Sequence, residues 1–82
     1  MGELPLSRLR DLESAVIERI EIQGRIKRRL VEMGITPGTR VEITKRAPLG
    51  DPIEISLRGY ELTIRAEDAD GIWVSRAGGK GQ

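Results

Sequence analysis

The sequence predicts a small, mainly β domain, a curled sheet of about five short strands with one docked α-helix. Three observations predict it. Apolar and polar residues alternate with the period of a half-buried strand through Val41 and Ile43, through Ile53, Ile55 and Leu57, and again through Tyr60, Leu62 and Ile64. Turn-forming residues separate these runs at Pro37-Gly38, at Pro48 to Pro52 and at Arg58-Gly59. The stretch from Arg25 to Met33 keeps a helical period.

The first element can be read in two ways. Leu9, Leu12, Val16 and Ile20 fit helical spacing, whereas Ala15, Val16, Ile17, Ile20 and Ile22 suit a bulged strand. The β-branched cluster favours a strand from about Ala15 to Ile22, preceded by a short turn at Ser7 to Leu9. In the helix that follows, Ile26, Leu30 and Met33 share one face, while Arg25, Lys27, Arg28, Arg29 and Glu32 occupy the others. Gly34 ends it. As a left-handed residue it would bring Ile35 against Leu30, the apolar contact of a Schellman ending. So short a helix is marginal alone and must dock on something.

Thr36-Pro37-Gly38-Thr39 fits a type II turn, with Pro presetting φ and Gly accepting a positive φ after it. Val41, Ile43 and Lys45 then alternate with Arg40, Glu42 and Thr44. Closing the next two strands at Arg58-Gly59 sets Leu57 opposite Tyr60, Ile55 opposite Leu62 and Ile53 opposite Ile64 on one apolar face. Ser56 with Glu61 and Glu54 with Thr63 form the outer pairs. Tyr60 is thus expected to point inward, its hydroxyl at the rim. A connection from Ala47 to Asp51 likewise pairs Val41 with Leu57 and Ile43 with Ile55.

Ala66 to Asp70 reads as one helical turn crossing to a final strand at Ile72, Trp73 and Val74, whose alternation sends Trp73 outward. The domain is expected to occupy residues 1–76, with a disordered Gly-rich tail at 77–82. An open sheet would leave its apolar face and its edges uncovered, so the strands are expected to curl into an SH3-like β-barrel.

Composition narrows the function. At 82 residues the chain has little room for an active-site cavity. Zero His and zero Cys remove the commonest general base, the thiolate nucleophiles and the firm nitrogen and sulfur ligands of transition metals. No enzyme, metal centre or cofactor is expected. The carboxylates Asp11, Glu13, Asp51, Glu67, Asp68 and Asp70 lack the spacing of a calcium loop and read as solvated surface. A net charge of +1 creates no global field toward nucleic acid or an anionic membrane. With no run of about 20 apolar residues and no signal peptide, a cytoplasmic protein without membrane insertion is expected.

A helix stop, then Thr36-Pro37-Gly38-Thr39, then Arg46-Ala47-Pro48-Leu49-Gly50-Asp51-Pro52, then Arg58-Gly59-Tyr60 and Leu62 make up an order that resembles the FeoA family. These are small cytosolic partners of a ferrous iron transport system. The resemblance covers roughly Leu6 to Val74. It departs at the front, where many members place a Gly before the first strand and this chain has Leu12-Glu13-Ser14. The resemblance implies an SH3-like barrel with an added helix. It also implies a regulatory role in ferrous iron uptake, exerted by binding a FeoB-type membrane transporter with a cytosolic GTPase domain. An iron carrier is not implied. The alternative is a stand-alone barrel related to the C-terminal domain of iron-dependent repressors, against which stands the shortness of the segment before Leu4. A homo-oligomer is compatible with either.

Three features are candidates for partner binding, each with a plainer reading. Arg25, Lys27, Arg28 and Arg29 form either a docking patch for an acidic protein surface or a solvated helix face. Pro48, Leu49, Gly50, Asp51 and Pro52 form either a rigid recognition loop that projects Leu49 or a hairpin connection whose prolines and glycine set the bend. In the plainer reading Asp51 satisfies local backbone donors. Trp73 is either an interface anchor or a cover over the open end of the barrel.

Overall fold

A computed structural model of the chain describes residues 2–76, so the tail expected to be disordered lies outside the described residues. The strands are β1 (Leu4–Pro5), β2 (Ser14–Ile20), β3 (Arg40–Arg46), β4 (Ile53–Leu57), β5 (Tyr60–Ile64) and β6 (Ile72–Arg76). A single 3-10 turn (Leu6–Arg8), helix α1 (Gly24–Glu32) and helix α2 (Ala66–Ala69) connect them. They form one antiparallel sheet in the order β1-β6-β2-β3-β4-β5. Its inner face, with Leu6, Leu9 and Ile35 from the connections, closes on an aliphatic core. The architecture is SH3-like, as expected.

The strand register matches the alternation in the sequence. Ile53 faces Ile64, Ile55 faces Leu62 and Leu57 faces Tyr60, and across the other edge of β4 Ile43 faces Ile55. A bulge between Ile43 and Lys45 then shifts β3, so that Arg46 pairs with Ile53 and the connection runs over residues 47–52. The sixth strand, β1, pairs only Leu4 with Val74 and Pro5 with Trp73, too short for alternation to reveal it.

Four expectations are corrected. The first long strand begins at Ser14 and ends at Ile20. Leu12 turns the chain into it at φ 67, the left-handed conformation for which Gly is suited, at the position where the resemblance leads one to expect a Gly. Leu12 is exposed, so no core contact offsets that strain.

The second correction concerns Tyr60, which is 44% exposed rather than in the core. It follows Arg58 (φ 50) and Gly59 (φ 87) at the start of β5, the last strand of the sheet, and its hydroxyl donates to the Met33 carbonyl at the end of α1. The third concerns α1. It ends as expected, with Gly34 at φ 100, Gly34 N–H donating to Val31 O at 3.0 Å and Ile35 N–H to Leu30 O at 3.0 Å. Docking, however, is confined to that end, where Leu30 is buried and Met33 half-buried while Ile26 is 46% exposed. The fourth concerns Asp51. Its Oδ1 accepts the Ala66 N–H at 3.0 Å, so the donor it satisfies is the first residue of α2 and not a local one.

Glu13 fastens the other end of the sheet. It accepts the Arg10 N–H at 2.9 Å and pairs with Arg76 on β6. The Arg10 hydrogen bond, with a further contribution from Arg76, holds its carboxyl below the usual glutamate range despite some desolvation. A folded-state pKa below the unfolded value contributes stability that is present above the unfolded pKa, about 4.3, and lost as pH falls through the folded one. The stability gap between the natural chain and Glu13→Gln is therefore expected at neutral pH and should narrow as the pH falls below the unfolded value. Urea unfolding at pH 7 and pH 3 checks it, and a gap of equal size at both would refute the assignment.

Candidate functional site

The loop from Ala47 to Pro52 is held at both ends. Ala47 N–H donates to Pro52 O at 3.0 Å, and Gly50 N–H, at φ 89, closes on Ala47 O at 2.7 Å. Before it, the Arg46 guanidinium pairs with Asp11 at 3.2 Å and donates to the carbonyls of Ser7, at 3.3 Å, and Leu9. After it, Asp51 is tied to α2. What this frame projects is Leu49, 96% exposed. An apolar side chain carried into water by a fixed loop can serve as an anchor without the entropy loss of ordering the loop on binding.

The α1 cations face water. Arg25, Lys27, Arg28 and Arg29 are exposed, and the ion pairs among the described residues belong to Arg19, Arg46 and Arg76. Because only the C-terminal end of α1 docks, a cavity of about 380 Å³ opens between the helix and the β5–α2 junction, with Ile26, Leu30 and Met33 on one wall and Pro52, Thr63 and Ile64 on the other. Arg29 and Arg65 also line it. The structure thus brings Arg29 and Pro52, two residues singled out in the sequence, to one groove. Sequence reasoning missed its walls. The Ile26-Leu30-Met33 stripe was legible, but periodicity marks an apolar face without saying whether a neighbour covers it.

Trp73 lies elsewhere. It stands on β6 beside Pro5 and Arg19, and β2 and β3 separate β6 from β4 in the sheet. It points out of the core, half-buried, with the Arg19 guanidinium 4.8 Å from the ring centroid. Arg19 also bonds Glu3 at 2.9 Å and Glu21. The Arg19 hydrogen bond holds the Glu21 carboxyl below its usual range. One face of the indole is therefore already occupied by a cation.

Among the described residues no three Asp or Glu side chains converge into a set that could hold a metal ion. Asp11 and Glu13 are engaged by arginines, Asp51 by Ala66 N–H and Asp70 by the Ser7 hydroxyl. No helix among the described residues is long and apolar enough to cross a membrane.

Comparison with known proteins adds the following. The family model of the FeoA domain matches residues 4–76. A Fe(2+) transport protein A/Fe(2+) transporter FeoB fusion protein of Porphyromonas gingivalis is 38% identical over 69 residues, which are 84% of this chain and 8% of that protein. The chain thus spans less than a tenth of the length of this relative. The solution structure of iron(II) transport protein A from Clostridium thermocellum superposes with a TM-score of 0.88 at 42% identity, covering 93% of this chain and 47% of that one. A manganese-dependent transcriptional repressor matches with a TM-score of 0.83 over 93% of this chain and 37% of its own. At 20% identity that likeness is one of fold alone.

Proposed function

The chain belongs to the FeoA domain family, and from that premise we propose that it is a cytoplasmic accessory protein of ferrous iron uptake that works by binding a FeoB-type membrane transporter. The observation that carries this reading is the Porphyromonas gingivalis relative, in which a segment 38% identical to this chain is part of one polypeptide with the transporter. Two segments joined in one chain meet at high effective concentration, where even a modest interface between them is populated. Two features support such an interface. The fixed loop presents Leu49, and α1 presents Arg25, Lys27, Arg28 and Arg29 without ion-pair partners among the described residues.

Residues 1–76 act in this reading as one binding module and carry out no chemistry of their own. Regulation follows from differential affinity, because the module can shift the transporter only by binding one of its conformations more tightly than another. Trp73, with Arg19 on one face, contributes its remaining exposed area to a second, separate contact.

Leu49→Asp tests the reading. Because Leu49 is 96% exposed, the substitution should leave stability within about 0.5 kcal/mol of the natural chain. Affinity for the cytosolic GTPase domain of a FeoB-type transporter, measured by calorimetry, should fall at least about tenfold, as expected when an apolar anchor is lost. Absence of binding by the natural chain, or unaltered affinity of the variant, would overturn the proposal.

A further inference from the structure

We infer that the free edge of β5, together with the groove beside it, takes up an extended acidic segment of a partner protein as a seventh strand. The hairpin geometry decides which backbone groups are available. Arg58 and Gly59 both have positive φ, the signature of a two-residue type I′ loop, so the flanking Leu57 and Tyr60 exchange hydrogen bonds. Pairs then alternate along the ladder, and Ile55–Leu62 and Ile53–Ile64 are hydrogen-bonded as well. The N–H and C=O groups of Glu61 and Thr63 therefore turn away from β4. β5 is the last strand in the sheet order, and these groups have no backbone partner among the described residues. A row of donors and acceptors at strand spacing is a template for strand addition.

The groove indicates what kind of strand fits. Thr63 and Ile64 line the same cavity as Ile26, Leu30 and Met33, so a strand laid on β5 can place apolar side chains against the undocked part of α1. About 380 Å³ is room for a few such side chains. Arg29 and Arg65 border the cavity with no ion pair among the described residues, next to the cations at Arg25, Lys27 and Arg28. Glu67 and Asp68 lie at the α2 end. The occupant's acidic residues therefore belong on the α1 side, away from α2. A second copy of this chain fits less well, because it would bring the same row of arginines to an α1 side that is already basic.

For the identity of the partner the inference rests on the function proposed above, and the experiment separates the two. Amide exchange of the full chain is followed by NMR with a synthetic peptide of alternating aspartate and valine, with its lysine-for-aspartate counterpart, and with the cytosolic GTPase domain of a FeoB-type transporter. The acidic peptide is expected to slow exchange at Glu61 and Thr63 at least tenfold, and the basic one is not. Thr63→Pro removes an edge donor that β4 does not use and should weaken peptide binding at least tenfold, while Thr63→Val retains it. Arg29→Glu provides a second test that leaves the strand intact, with the same tenfold loss expected.

Failure of the acidic peptide to protect Glu61 and Thr63 overturns the inference, whatever the transporter domain does. So does concentration-dependent protection without any ligand, which would identify the occupant as a second copy. Protection by the peptide with no binding of the transporter domain keeps the strand site and overturns the proposed partner. Binding of that domain with no protection by the peptide does the reverse.

Discussion

Ile55→Ala is expected to lower the stability of the domain by about 3 kcal/mol, within the roughly 2–5 kcal/mol seen when a buried aliphatic side chain is truncated. Ile55 has no exposed surface and sits at the centre of the meander, with Ile43 on one side and Leu62 on the other. Neither neighbour can close the gap easily. Ile43 is itself fully buried and held in register by the β3–β4 pairing, so the cavity persists and the loss includes its cost. Domains of about this size are stable by roughly 4–12 kcal/mol in total, and about 3 kcal/mol corresponds to a fall in Tm of roughly 12–24 °C. Thermal unfolding followed by circular dichroism measures it. A fall of under 5 °C would mean that Ile55 is not packed between Ile43 and Leu62 in the core.

Gly71→Ala is the second large effect, and its origin is steric. A Cβ on Gly71 would lie 2.6 Å from Cγ1 of Ile22 and 3.1 Å from the Glu21 carbonyl oxygen. The side chain could rotate, but the carbonyl belongs to a backbone that is pinned, since Glu21 N–H donates to Gly71 O at 2.6 Å. Separating the two segments stretches that bond and disturbs the start of the β2–β6 ladder, where Ile20 pairs with Ile72. Overpacking of this kind typically costs about 1–3 kcal/mol, and we expect the upper half of that range. Gly38→Ala is the control. It sits at φ 91 with nothing within 4 Å of an added Cβ, so its cost is limited to backbone strain of about 1–2 kcal/mol. Denaturant unfolding of both variants should rank Gly71→Ala as the more damaging, and the reverse order would refute the steric account.

The candidate site was only partly legible. The loop Pro48 to Pro52 was visible because prolines and a glycine between two alternating runs have few structural meanings. The cation row on α1 was visible from composition. What the residues around Asp51 do not encode locally is that its acceptor reaches Ala66, on a helix that follows two further strands. The groove was hidden for a similar reason. Ile26, Leu30 and Met33 form an amphipathic stripe whether the helix lies flat on a sheet or touches it at one end.

Local alternation is enough to specify β4 and β5 with their register, and β3 as far as Ile43, because a one-residue slip would turn the apolar side chains on them from the core to water. The sequence by itself also determined the end of α1, since Gly34 followed by Ile35 is a local instruction that needs no distant partner. The remaining features follow from contacts between distant segments. Tyr60 left the core because it opens an edge strand and reaches to the end of α1, and β1 formed because β6 offered two residues an edge. The seat of α1 was decided at its C-terminal end, where Gly34 lies against Leu57, Arg58 and Tyr60 of the β4–β5 hairpin and the Tyr60 hydroxyl donates to the Met33 carbonyl. These outcomes depend on where non-neighbouring segments meet in space, which a period of two or of 3.6 residues along one segment does not specify.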